Sequence, residues 1–214
     1  MEFRLLYEGE LLSSTASKGR PEEKHKIRRI FHPQLRRLWQ IDRNLRELAH
    51  HWKGILPEFE PNPNRYGRTV TEQDWVDSGL KSIGKFWNRA GYNFVPLVAP
   101  EFLLRCNLEI LLLRPGEKKY IFEMGDIDGQ LKTLFDSLKM PKNRGETGDS
   151  SPGNDEDPFF CLLENDNLIT EVHVVTDSLL LLPNHKEIKA NDAFVVIDVK
   201  LNHKNAGAFD NYFG

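Results

Sequence analysis

The chain predicts an α+β fold: a small mixed sheet with one helix packed on it, plus a helical insertion near the N-terminus. Three observations carry that reading. Leu104, Cys106, Leu108 and Ile110 alternate with Arg105, Asn107 and Glu109, the period of two of a half-buried strand. Two later runs, LITEVHVVT and AFVVIDVKL, have the β-branched composition of strands. Between the first strand and these two, Leu131, Leu134, Phe135 and Leu138 fall at i, i+3, i+4 and i+7, one face of a helix.

Taken in order, FRLLYEGELL reads as a first strand ending near Gly9, and the polar SSTASKGRPEEKHK as a loop. From Ile27 to Trp52, Ile30, Phe31, Leu35, Leu38, Leu45 and Leu48 recur at helical spacing. A first helical turn tolerates proline, so Pro33 suggests that the longer helix begins at His32. PEFEPNPNRYG, built around three prolines, is a connector. TEQD at 71–74 has capping-box spacing, with Asp in place of the usual Glu or Gln, and opens a helix that ends near Gly91. The Gly-, Pro- and Ser-containing stretch over 141–158 is expected to be a mobile polar loop. The expected organisation is one domain over 1–214 with the helical insertion at 25–91.

Bulk properties narrow the function classes. No apolar run approaches the roughly 20 residues of a membrane span, and MEFRLLYEGELL lacks the basic and small-residue features of a secretion signal. A cytoplasmic chain without membrane partners is expected. Cys106 and Cys161 match no metal or redox spacing, and the seven histidines show no zinc pattern. The net charge of −3 hides an asymmetry: Lys18 to Lys53 holds eleven Lys/Arg against four Asp/Glu, leaving 18 against 28 elsewhere. A concentrated basic segment is either a phosphate-binding footprint or a solvated helix face. Arg28, Arg29, Arg36 and Arg37 would extend a phosphate-binding surface or dock a protein partner. Trp39, Trp52, Trp75 and Trp87 lie on apolar stripes and are expected in the core rather than stacked on bases.

The stretch GDIDGQLKTLFDSL, residues 125–138, carries the chemistry. Asp126 and Asp128 stand at a strand-to-helix junction; on an extended chain both point to one face, about 6.6 Å apart. Two carboxylates so placed can share a hard cation, and magnesium, which keeps several waters, needs few of them. A third acid is expected from LLENDNLIT, where Glu164 and Asp166 precede a strand. Lys132, one turn after Asp128, is placed to neutralise a phosphate. The competing account is structural: an N-capping Asp contributes about 1 kcal/mol. The i, i+4 pairs Asp128–Lys132 and Lys132–Asp136 would add a few tenths of a kcal/mol each. Spacing alone leaves both accounts open.

These residues resemble the RusA-like Holliday junction resolvases. The family pattern is D-x-D-N-x-x-K-x-x-x-D-x-L, followed later by D-D before a hydrophobic strand. Asp126, Asp128, Lys132, Asp136 and Leu138 fall at the matching spacings, and Glu164-Asn165-Asp166 precedes NLITEVHV. The basic SKGRP ending at Pro21 and the late VVIDVKL match the family's opening loop and closing strand. Gly129 stands where the family has Asn, Asn165 where an acid often stands, and Glu22-Glu23 where a further Arg is usual. The resemblance implies a RusA-like fold and a homodimeric endodeoxyribonuclease, dependent on magnesium or manganese, that cuts Holliday junctions or other branched DNA. It implies Asp126, Asp128 and Asp166 as metal-binding acids, Lys132 as a catalytic cation, Asp136 as an outer acid or a partner that orients Lys132, and Glu164 as a further outer acid. Lys18 and Arg20 would touch backbone phosphates. Two alternatives stand beside it: a catalytically degenerate nucleic-acid-binding protein of the same fold, and an interaction protein whose basic helices dock an acidic partner.

Overall fold

The alternating run becomes the middle of a mixed sheet. The computed structural model describes residues 1–13, 20–52, 71–115, 127–180 and 187–203. Strand β4 (Leu104–Arg114) lies between β7 (Asp192–His203), antiparallel to it, and β6 (Ile169–Ser178), parallel to it; β1 (Glu2–Glu10) adds antiparallel to the far side of β7. The order β1-β7-β4-β6 makes this an α+β molecule with a mixed sheet, as the periodicity predicts.

A second sheet was not expected. Its strands are β2 (Asn88–Arg89), β3 (Tyr92–Val98) and β5 (Phe159–Leu163), in the order β2-β3-β5. β3 and β5 run parallel, and almost every residue of YNFVPLV and FFCLL is buried. A strand covered on both faces shows no polar alternation, so the period-two signal is absent.

Four helices are described: α1 (Pro21–Ile41), α2 (Arg43–His51), α3 (Glu72–Phe86) and α4 (Ile127–Leu138). The proline at the helix start is Pro21, and Pro33 lies inside α1 instead of opening a helix. An interior proline removes one ladder hydrogen bond; the buried stripe Ile27, Phe31, Leu35 and Trp39 holds the helix together across it. The expected run to Trp52 breaks at Asp42, whose extended backbone and side chain cap α2 by accepting from the Leu45 N–H at 3.0 Å. The capping box at Thr71 forms as predicted: Thr71 Oγ1 accepts from Asp74 N–H and Asp74 Oδ2 accepts from Thr71 N–H.

The described parts of 25–91 pack into the body of the molecule. α1 packs on β1, β5 and α4, and α3 packs on β3, so this segment supplies much of one continuous core. Trp39 and Trp87 are buried in it and Trp52 packs against it, whereas Trp75 is partly exposed. The 141–158 segment, expected to be mobile, is tied down along its length. Arg28 donates to Glu146 O, Arg29 pairs with Glu156, and the His32 ring meets Asp155 O at 2.9 Å. Ser150 and Asp157 meet Tyr92 and Asn93 of β3. No described helix is long and apolar enough to cross a membrane.

Candidate functional site

α4 is amphipathic with an unusually polar buried face. Leu134 and Leu138 enter the core beside Gln130, Thr133 and Ser137. The two hydroxyls are satisfied within the helix, Thr133 donating to Gly129 O and Ser137 to Thr133 O. Gln130 donates its amide to Leu11 O at 2.8 Å, which pins the entrance of α4 to the chain just after β1. Arg20, which precedes α1, has a left-handed backbone. The fold therefore holds the helix entrance against the residues that follow β1. Asp126 and Lys18 themselves lie outside the described residues.

The polar side of α4 carries Asp128, Lys132 and Asp136 one turn apart. Asp128 and Lys132 are exposed, and neither enters an ion pair among the described residues. The two i, i+4 pairs of the structural account are thus not made. Asp136 turns elsewhere: it meets Lys24 Nζ at 2.6 Å and Lys139 Nζ at 2.8 Å. Lys139 in turn holds Asp166 at 2.6 Å. Burial alone would raise the Asp136 carboxyl, but the hydrogen bonds from Lys139 and Lys24 outweigh it and hold its pKa below the usual range. The Lys139 ammonium is shifted the other way: burial works against its charge, and its two carboxylates more than offset that.

Beneath this network lies Arg28, 2% exposed, with its guanidinium against three backbone carbonyls. It donates to Asp136 O at 2.6 Å, Lys139 O at 3.1 Å and Glu146 O at 3.0 Å. The last carbonyls of a helix lack intrahelical partners and carry the negative end of its dipole, so a buried cation there is favourable. Glu164, the other acid of the late motif, is paired with Arg89 at 2.7 Å.

The expected acid set is therefore divided. Asp166 and Asp136 meet through Lys139 at the exit of α4, while Asp128 stands two turns away, about 12 Å along the helix axis. Among the described residues no group of three His, Cys, Asp or Glu side chains is placed to hold a metal ion. Where mutual repulsion between carboxylates at the exit is relieved, the cation is the protein's own lysine. Sequence reasoning passed over Lys24 and Lys139, and placed Arg28 on a phosphate- or partner-binding surface where the structure buries it. Lys139 stands three residues after Asp136, a spacing that permits a pair; nothing local marks Arg28 as buried.

The basic segment is also largely accounted for. Lys26 pairs with Glu23, Arg43 with Glu47 and Arg46 with Glu72, all within 2.9 Å. Arg29 meets Glu156 at 2.7 Å and Arg36 approaches Asp155 at 3.9 Å. Much of the positive charge on α1 and α2 is matched, partly by acids of the same helix and partly by acids of other elements. No protein-family model, curated protein or solved structure matches the chain.

Proposed function

We propose that this is a RusA-like, magnesium-dependent endonuclease acting on branched DNA, with its chemistry at the entrance of α4. The observation that carries this reading is the state of Asp128 and Lys132. They are exposed and outside any described ion pair, on a helix whose third charged residue, Asp136, is engaged twice. The anchoring of that entrance to Leu11, just after β1, through Gln130 supports it.

The metal fits this site in part. Asp128 offers an exposed carboxylate, the hard oxygen donor magnesium takes, and Asp126 would be the second; two are enough for an ion that retains its waters. Such an ion supplies water activation and charge neutralisation at a phosphate. Lys132, about 6 Å further along the helix, places an ammonium where charge develops on the same phosphate. Asp166 is not needed as a ligand here; its role is to hold Lys139.

The test uses a synthetic four-way DNA junction with and without magnesium. Nicking is expected with the ion, and is expected to vanish in Asp128→Asn and in Lys132→Ala while junction binding survives. A second reading, a DNA-binding relative without cleavage, draws on Lys139 sitting between Asp136 and Asp166. Binding that falls steeply with salt, yet no cleavage with magnesium or manganese, would select it. Absence of binding to any DNA structure would remove both.

A further inference from the structure

Helices α1 and α3 are held to the core at different places. α1 packs on β1, β5, α4 and α2, and α3 packs on β3 and α2. A cleft of about 220 Å³ lies between them, its third side formed by the chain that enters β5. Its lining falls wholly within the described residues. The apolar part is Val76 and Leu80 of α3, Pro158 and Phe160, with Trp39 of α1. Trp39 is 0% exposed, and its Nε1–H has no acceptor. Among the described residues with a buried, unpartnered side-chain polar atom, Trp39 alone lines the cleft. Such a donor requires an explanation, because buried polar groups are nearly always hydrogen-bonded.

The rim offers more donors. Lys81 is exposed and enters no ion pair among the described residues. Arg36 reaches Asp155 only at 3.9 Å, and that carboxylate is 92% exposed. The two acids of the cleft are already engaged: Asp77 accepts from Gln73 Nε2 at 2.7 Å and Asp157 from Asn93 Nδ2 at 2.8 Å. We infer that the cleft binds a small monocarboxylic acid with a compact apolar body, such as an aromatic acid. Its ring lies against Val76, Leu80, Pro158 and Phe160, and its carboxylate accepts from the Trp39 N–H and faces Arg36 and Lys81. The two cations and two acids of the lining sum to no net charge, so one carboxylate is accommodated where a doubly charged phosphate or a diacid is not. Pockets for drug-sized ligands run to about 300–1,000 Å³, so this one holds a single ring. The site shares no residue with α4, so its test is separate from that of the nuclease reading.

The probe is para-fluorobenzoate, titrated into the purified chain and followed by fluorine NMR and by the indole N–H signals of the nitrogen-labelled protein. Saturable binding with a Kd of about 1 mM is expected for a ligand of about ten non-hydrogen atoms. The Trp39 indole signal should move downfield as its N–H gains an acceptor, while those of Trp52, Trp75 and Trp87 stay in place. para-Fluorobenzyl alcohol, which keeps the ring without the charge, should bind about tenfold more weakly. Arg36→Gln combined with Lys81→Gln, two exposed positions, should weaken the acid by about the same factor. Lys85→Gln, one turn beyond Lys81 and outside the cleft, should leave it unchanged. No saturation by roughly 20 mM, equal binding of the alcohol, a Trp39 signal that does not move, or an affinity untouched in the double variant would each overturn the proposal.

Discussion

The two ends of α4 carry the same kinds of side chain and use them differently. At the exit, Asp136, Lys139 and Asp166, with Lys24 above and Arg28 beneath, form a network of close contacts that joins α1, α4 and the turn before β6. At the entrance, Asp128 and Lys132 stand one turn apart in the open, without ion-pair partners among the described residues. A charge that serves stability is partly buried, paired and hydrogen-bonded. A charge kept exposed and unpaired contributes little to folding. The difference separates residues that build the fold from residues the fold presents.

The comparison is broken most severely at Arg28. Arg28→Ala leaves three carbonyls at the exit without their donor and opens a cavity, and is expected to cost about 3–5 kcal/mol, read as a lowered urea midpoint. If the midpoint hardly moves, the exit is not the structural end.

Acid is expected to act on the same corner. His25, packed against Tyr92 and Phe159, has its pKa pulled down to about 4 by burial and then by Arg28 and Arg29. Its folded-state pKa lies below the unfolded value of 6.5, so its contribution is complete above that pH and is lost as pH falls toward 4. The loss is worth about 2–3 kcal/mol. His32, also lowered by burial, accepts the Phe160 N–H through Nδ1 and cannot do so when protonated. The depressed pKa of Asp136 extends the decline below the ordinary carboxylate range. Stability measured from pH 8 to 3 should fall in this order, and His25→Phe should flatten the first part of the curve.

A smaller effect is expected at Lys139. Lys139→Met keeps the stem and removes the ammonium, leaving Asp136 with Lys24 alone and Asp166 unpaired, at about 1–2 kcal/mol. The pKa of Asp136, followed by carboxyl NMR, should rise. An unchanged value would mean that Lys24 alone sets it.

The smallest effect on folding is expected at the entrance. Asp128→Asn and Lys132→Ala should each change stability by less than about 0.5 kcal/mol and, on the proposed nuclease function, abolish junction cleavage. A loss of stability comparable with that of Lys139→Met would place these two residues with the exit and end the contrast.

Much of the fold was legible because its signals are local. The alternation along β4, the strand composition of β6 and β7, the capping box at Thr71 and the apolar face of α4 each lie within a dozen residues of chain. The entrance of α4 was legible for the same reason, since Asp128 and Lys132 are one turn apart. The second sheet was not: β3 and β5 are covered on both faces, and a uniformly apolar run carries no period.

By itself the sequence determined an α+β molecule, the positions of four strands and two helices, and the helix that carries the candidate site, because periodicity and capping are properties of neighbouring residues. Only the tertiary structure decided which charges meet. Lys139 finds Asp166 across 27 positions, and Arg28 finds the Asp136 carbonyl across 108. The strength of such a contact depends on burial and distance, which exist only once remote segments have packed together.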